Sequence, residues 1–269
     1  MSFRRLYLVV LWIAALILRP APPPEESGPL LWISDQWGQL GTVNVQTGQV
    51  RILGEMAIPM DDIAFDPEGR LFGVGRGVLY AIDPEDGATQ PIGALGSQVN
   101  SLVFDAFGTL LAASDELYRV DPATGQAQLL GSGGIPWRSS GDLAFVNGLL
   151  TLSSRDPSGP DDILVLLDET TGWGAKLGNI GYPEVLGLAT DDNQRLFGIS
   201  GTQVLAIKPT TGAGRLLFDY AGQGLGRAYG SAFTQEAASP PAFQGPKPWS
   251  LALGALVLSG GLGRTGPAR

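Results

Sequence analysis

Between residues 30 and 233 the apolar positions of this chain come in short runs, each broken by a turn. One plan recurs. An apolar strand of the form Leu/Ile-Ala/Val-Phe-Asp leads into a turn, and a second strand ends near Leu-Phe-Gly. A third runs like Leu-Tyr-Ala-Ile-Asp, and a Pro-x-Thr-Gly turn follows. Copies start at Ile63, Leu102, Leu143, Leu188 and Ser231, and their central residues Ala64, Val103, Ala144, Ala189 and Ala232 stand 39, 41, 45 and 43 residues apart. A period near forty with four short strands in it marks a propeller blade.

The copy beginning at Asp62 shows the plan most clearly. Asp62–Asp66 reads as an inner strand, Pro67-Glu68-Gly69 as its turn, then Arg70–Val74, Val78–Asp83 and Thr89–Gly93 as the second, third and fourth strands. The third is apolar on both faces, as a strand between neighbouring sheets must be. The fourth carries Pro91, and its counterparts carry Gln49, Arg51, Gln126, Gln128 and Arg215. Proline and polar residues suit an outermost strand whose free edge must resist pairing. The turn before it recurs at Asn44–Gly48, Asp83–Gly87, Asp121–Gly125, Asp168–Gly172 and Lys208–Gly212. There Asp or Asn bonds its own backbone and Gly takes the left-handed site, so these carboxylates read as turn chemistry rather than ligands. The stretch from Leu30 to Met56 holds only three strands, and Tyr229–Phe233 is an inner strand with no blade after it. Together they make one blade. The expectation is an all-β, five-bladed β-propeller of four-stranded antiparallel blades over residues 30–234, closed by the C-terminal strand joining the N-terminal three.

The Phe-Asp-Pro-x-Gly element at Phe65–Gly69 resembles NHL and SMP-30-like repeats, and Leu79-Tyr80-Ala81-Ile82-Asp83-Pro84 resembles PQQ-like and YVTN repeats of bacterial propellers. The resemblance implies the fold. The tryptophan-docking motifs of PQQ repeats are absent, and the calcium ligands of SMP-30-type lactonases cannot be placed here residue by residue, so neither activity is carried over.

The chain has 269 residues, with 39 Gly and 20 Pro dispersed among the apolar runs, which fits one large turn-rich β domain. From Leu30 to Phe233 there are 11 Lys and Arg against 23 Asp and Glu, a balance of −12. Such a surface repels phosphate backbones and favours cations or a basic partner, so nucleic acid is not an expected partner. There is no Cys and no His. That removes disulfides, Cys nucleophiles, Ser-His-Asp triads, His bases and His- or Cys-bound zinc; a metal would need oxygen ligands, as calcium does.

Both ends are apolar. Leu6–Leu18 is flanked by Arg4, Arg5 and Arg19, which fits a signal peptide or short anchor over residues 1–19. A Pro-rich linker (20–29) follows, and a second one (235–248) precedes an apolar tail over 249–269. The tail, with Lys247 before it and Arg264 and Arg269 near its end, resembles PEP-CTERM sorting tails, though Lys247-Pro248-Trp249 stands where their Pro-Glu-Pro would. An exported protein of the bacterial envelope or exterior is expected, with membrane contact through one or both termini.

Propeller ligands sit over the central channel, on the face of the interblade loops and the loops joining second and third strands. The interblade positions are Asp61, Asp62, Asn100, Ser101, Trp137, Arg138, Asp142, Tyr182, Glu184 and Arg227, the candidate ligand-binding set at the channel mouth. Asp62, Ser101 and Asp142 directly precede inner strands and should ring that mouth; Asp62 and Asp142 are the candidate metal pair. Trp37, Trp137 and Tyr182 read either as stacking surfaces or as packing between blades. The longest of the second-to-third loops, Ser153–Asp162, carries Asp156, Asp161 and Asp162, a weak calcium set or a solvated loop. No ordered catalytic constellation emerges. The expected function is a non-catalytic propeller, without cofactor, binding a protein or small molecule; the alternative is a hydrolase or lactonase using a divalent cation such as calcium at the channel mouth.

Overall fold

A computed structural model describes residues 28–236. The expected leader over 1–19 and tail over 249–269 lie outside the described residues, as do the linkers apart from residues 28–29 and 235–236. The described chain forms five twisted sheets around one channel. The first three strands are β1 (Leu30–Asp35), β2 (Gln39–Asn44) and β3 (Val50–Glu55). Blade 2 is β4 (Asp62–Phe65), β5 (Leu71–Gly75), β6 (Val78–Ile82) and β7 (Thr89–Ala94). Blade 3 is β8 (Ser101–Phe104), β9 (Leu110–Ala113), β10 (Leu117–Val120) and β11 (Ala127–Gly131).

After β12 (Gly133–Gly134), blade 4 follows as β13 (Ser139–Val146), β14 (Leu149–Arg155), β15 (Asp162–Leu167) and β16 (Trp173–Asn179). Blade 5 is β17 (Val185–Thr190), β18 (Leu196–Ser200), β19 (Gln203–Ile207) and β20 (Gly214–Asp219). The last strand, β21 (Ala228–Ala232), pairs antiparallel with β1, Trp32 opposite Ala232 and Ile33 opposite Ser231. Blade 1 is therefore β21-β1-β2-β3, and the two chain ends close the ring by hydrogen bonds alone.

One feature departs from the sequence reading. Blade 4 gains a fifth strand, because β12 runs parallel to the outer β16, Gly133 opposite Trp173 and Gly134 opposite Gly174. Two residues without side chains can lie flat against the sheet and cover an edge that would otherwise stay open.

Five apolar cores fill the seams between neighbouring blades. Val74, Leu102 and Phe104 belong to the seam of blades 2 and 3; Val103, Leu143 and Leu152 to that of blades 3 and 4. Blades 4 and 5 meet through Leu164, Leu188 and Leu205, blades 5 and 1 through Ile33, Phe197 and Phe233, and blades 1 and 2 through Leu40, Ile63 and Phe65. Inner-strand residues thus alternate between the seam ahead and the seam behind, which is why these strands are apolar at nearly every position.

Each outer strand carries a β-bulge at one repeat position. The register skips Leu53, Ile92, Leu130, Leu177 and Leu217. Each skipped side chain packs against the seam ahead. A bulge turns a side chain that strict alternation would leave outside. In four blades a glycine follows the bulge, and the next blade's turn presses into the space. An added Cβ on Gly93 would stand 2.0 Å from the Thr124 carbonyl oxygen, and one on Gly178 1.9 Å from that of Thr211. At the closing seam Phe218 takes this position, with its ring against Gly48. Gln223 then ties the seam, donating from Nε2 to the Gly48 carbonyl at 3.0 Å and accepting from the Val50 N–H at 3.3 Å.

Candidate functional site

The inner strands begin at one face of the ring, and the loops joining second to third strands reach the same face. There a cavity of about 700 Å³ opens. Asp61 and Asn100 stand just before β4 and β8, Ser140 and Gly141 lie in β13, and Glu184 and Arg227 precede β17 and β21. Arg155 at the end of β14, Asp156 in the loop after it, Asp162 at the start of β15 and Tyr229 on β21 complete the lining. A shallower recess of about 400 Å³ adjoins it, sharing Asp61, Asn100 and Arg155 and adding Arg138 and Asp115.

The polar groups of this mouth divide into paired and unpaired. Glu184 and Arg227 form an ion pair at 2.7 Å, Lys176 holds Asp156 at 2.9 Å, and Arg138 holds Asp115 at 3.6 Å. The Ser158 hydroxyl and N–H, with Lys176, pull Asp156 down to about 2. Asp162 accepts the Val185 N–H at 2.7 Å, and burial pushes its carboxyl up to about 6, against the pull of the Ser140 hydroxyl, of that N–H and of Arg155. Burial also raises Asp61, which accepts the Arg76 N–H at 3.3 Å. Asn100 donates from Nδ2 to the carbonyls of Ser139 and Ser140, at 3.3 and 3.2 Å. These two contacts fix the amide so that its Oδ1 is an acceptor, and that oxygen has no partner. The hydroxyl of Ser139 and Nε of Arg227 are likewise buried without one.

One residue further along their strands, Asp62 and Asp142 are fully buried and do not line the cavity. Asp62 accepts its neighbour Ile63 N–H at 2.7 Å and the Leu102 N–H of the next blade at 2.6 Å. Asp142 repeats this with Leu143 at 2.7 Å and Leu188 at 2.6 Å, and accepts the Ser231 hydroxyl at 3.2 Å. The two carboxyls hydrogen-bond to each other, and burial raises both far above the usual 3.8, Asp142 further through the charge of Asp62. Gly230 makes room for them, since a Cβ there would stand 2.4 Å from Asp62 Oδ1. Glu236, on the turn after β21, is also buried and raised by burial, then by the charge of Asp142.

Of the residues expected at the mouth, Asp61, Asn100, Glu184 and Arg227 meet in the cavity and Arg138 in the adjoining recess. Asp62, Ser101 and Asp142 ring the channel from inside its wall, because inward-facing N–H groups of adjacent blades need acceptors there; Ser101 instead donates to the Ala113 carbonyl at 3.0 Å. Trp137 is packing between blades 3 and 4, its Nε1 donating to the Gly172 carbonyl at 3.1 Å, and Tyr182 packs into the seam of blades 4 and 5. Among the described residues no three Asp or Glu side chains are arranged to hold a metal ion. Asp156 and Asp162 both reach the cavity, signalled in the sequence by the length of their loop. Ser140 carries no sequence signal at all; it becomes a cavity residue only because β13 starts early.

No protein-family model matches the chain. No curated protein matches it either. Among solved structures it is similar to a chain in the crystal structure of a nidogen/laminin complex, at 12% identity and a TM-score of 0.55, over 79% of this chain and 100% of that one. It is also similar to a symmetrical protein described for its de novo evolutionary emergence (18% identity, TM-score 0.47, 79% and 98% of the two chains). A third is a gluconolactonase from Xanthomonas campestris (15% identity, TM-score 0.46, 76% and 77%). At these identities the likeness is one of fold. The chain is a five-bladed β-propeller with a polar cavity at its channel mouth.

Proposed function

We propose that this propeller is a non-catalytic binding protein that takes its ligand in the channel-mouth cavity, and that its apolar terminal segments place it at the bacterial envelope or outside the cell. One observation carries the binding reading: a polar cavity of about 700 Å³, lined by residues from several blades, opens at the channel mouth and has the size of a small-molecule site. The hydrolase reading asks for a cation held by Asp62 and Asp142, whose oxygens already take backbone N–H groups. A thermal-shift screen of the full chain against small polar metabolites tests the proposal. Ligands that raise Tm should lose their effect in Asn100→Leu, and calcium or a chelator should leave Tm unchanged. A Tm that falls with chelator, together with lactone hydrolysis that calcium restores, would favour the enzyme.

A further inference from the structure

We infer that the ligand is a neutral oligosaccharide, one of whose sugar rings stacks on Trp37 at the rim of the cavity. The inference rests on the binding reading above and narrows its chemistry. Trp37 is 61% exposed, while Trp137 is buried between blades. It stands in the β1–β2 loop, the second-to-third loop of blade 1, on the face where the cavity opens. Asp35 holds that loop: its Oδ1 takes the N–H groups of Trp37 at 2.9 Å and Gln39 at 2.8 Å, and its Oδ2 takes that of Gly226 at 2.8 Å. The six-membered ring of the indole rests against Gly226, where an added Cβ would stand 2.7 Å from Cε3 and Cζ3. Arg227, the next residue, lines the cavity, and its carbonyl accepts the Gln36 N–H at 2.9 Å. The indole is therefore seated at the cavity's edge on backbone that hydrogen bonds hold in place.

A large aromatic surface left in water is unfavourable, and a ring that packs on it recovers that free energy. The C–H face of a sugar ring is apolar and broad enough to cover an indole, while its rim carries hydroxyls, each both donor and acceptor. The cavity beside Trp37 suits those hydroxyls. Asp156 and Glu184 sit in the ion pairs already described, Asp61 faces the charge of Arg76, and Asp162 that of Arg155. A lining of matched charges offers donors and acceptors side by side without drawing an ion of either sign. An anionic sugar would also meet the −12 balance of the domain. A purely aromatic ligand would stack as well, but it would strip water from the polar lining without replacing its hydrogen bonds.

Calorimetric titration of the full chain with maltohexaose, cellohexaose, mannohexaose and chitohexaose, and with hexagalacturonate as an anionic counterpart, tests this. At least one neutral hexasaccharide should bind, with an affinity that does not change with salt, and hexagalacturonate should not. Binding should shift the tryptophan emission. Trp37→Ala should abolish that shift and weaken binding about tenfold or more, as for a lost aromatic anchor. Trp37→Phe, which keeps a smaller platform, should fall in between. Equal melting temperatures show that the fold survives, and if Trp37→Ala melts lower, Trp37→Phe alone decides. Failure of every neutral hexasaccharide to bind, or equally tight binding by the variants, overturns the inference. So does hexagalacturonate binding through Trp37, or a polar metabolite that raises Tm alike in the parent protein and in Trp37→Ala; either would leave the binding reading itself standing.

Discussion

A single residue type does two jobs in this protein, and surroundings decide which. Asp66 and Asp191 open turns: each Oδ1 takes two backbone N–H groups, and Oδ2 takes the guanidinium of Arg70 or Arg195, which also lies over Phe72 or Phe197. Asp62 and Asp142 instead bridge blades. Both kinds are nearly inaccessible, so exposure does not separate them; the identity of the neighbouring N–H does. We expect Asp142→Ala to lower stability by about 3 kcal/mol, because the N–H groups of Leu143 and Leu188 lose a buried acceptor. Asp142→Asn, which keeps one oxygen, should lose roughly half as much. Denaturant midpoints check this, and equal losses would show that the carboxyl acts by filling space.

At the scale of the element, the outer strands are where the repeat is most regular and least obvious. Read by strict alternation, Leu129-Leu130 and Leu216-Leu217 put one leucine of each pair into water. The bulge brings Leu130 and Leu217 into the seams and leaves Leu129 and Leu216 exposed. The glycine after the bulge is then required by close approach, with a backbone carbonyl occupying the place of its side chain. Gly93→Ala should therefore destabilise by about 1–3 kcal/mol, the cost of overpacking against an element that cannot yield. The same replacement at Gly69, whose added Cβ meets nothing within 4 Å, carries only the penalty of its positive φ. A Gly93→Ala melting temperature equal to that of the parent protein would mean the seams are looser than drawn. The closing seam breaks the rule with Phe218, and Gln223 supplies by side chain what the backbone supplies elsewhere.

For the whole molecule the consequence is an unusual pH profile. Asp62, Asp142 and Glu236 share one channel with no Lys or Arg hydrogen-bonded to them among the described residues, and burial raises all three. An acid whose folded pKa is raised binds more protons in the native state than in the unfolded one, so stability falls as pH rises through the folded value. Asp162, with its carboxyl up at about 6, acts in the same direction, and so does the self-repulsion of the acidic surface. Against this, Asp121, Asp156 and Asp168 are lowered by local hydrogen bonds, Asp168 despite some burial, and their contribution is lost as pH falls below the usual 3.8. The melting temperature should peak near the ordinary carboxylate range and decline as pH rises above it, and Asp62→Asn should flatten that decline. A melting temperature that climbs steadily to pH 8 would contradict the shared-proton channel.

Periodicity alone determined the number of blades, the order of their strands and the closure through β21, because each follows from apolar spacing and turn chemistry that are local in sequence. The bulges were not legible, since Leu-Leu-Gly in an outer strand looks like alternation with an error until the next blade is in place. The site was half legible. Asp61, Asn100, Glu184 and Arg227 could be placed because loops before inner strands must reach one face. That Asp62 and Asp142 turn inward, and that Ser140 turns toward the cavity, depended on which backbone groups of the adjacent blade needed a partner. Hydrogen bonding across a seam joins residues some forty positions apart, and only the assembled ring brings donor and acceptor together.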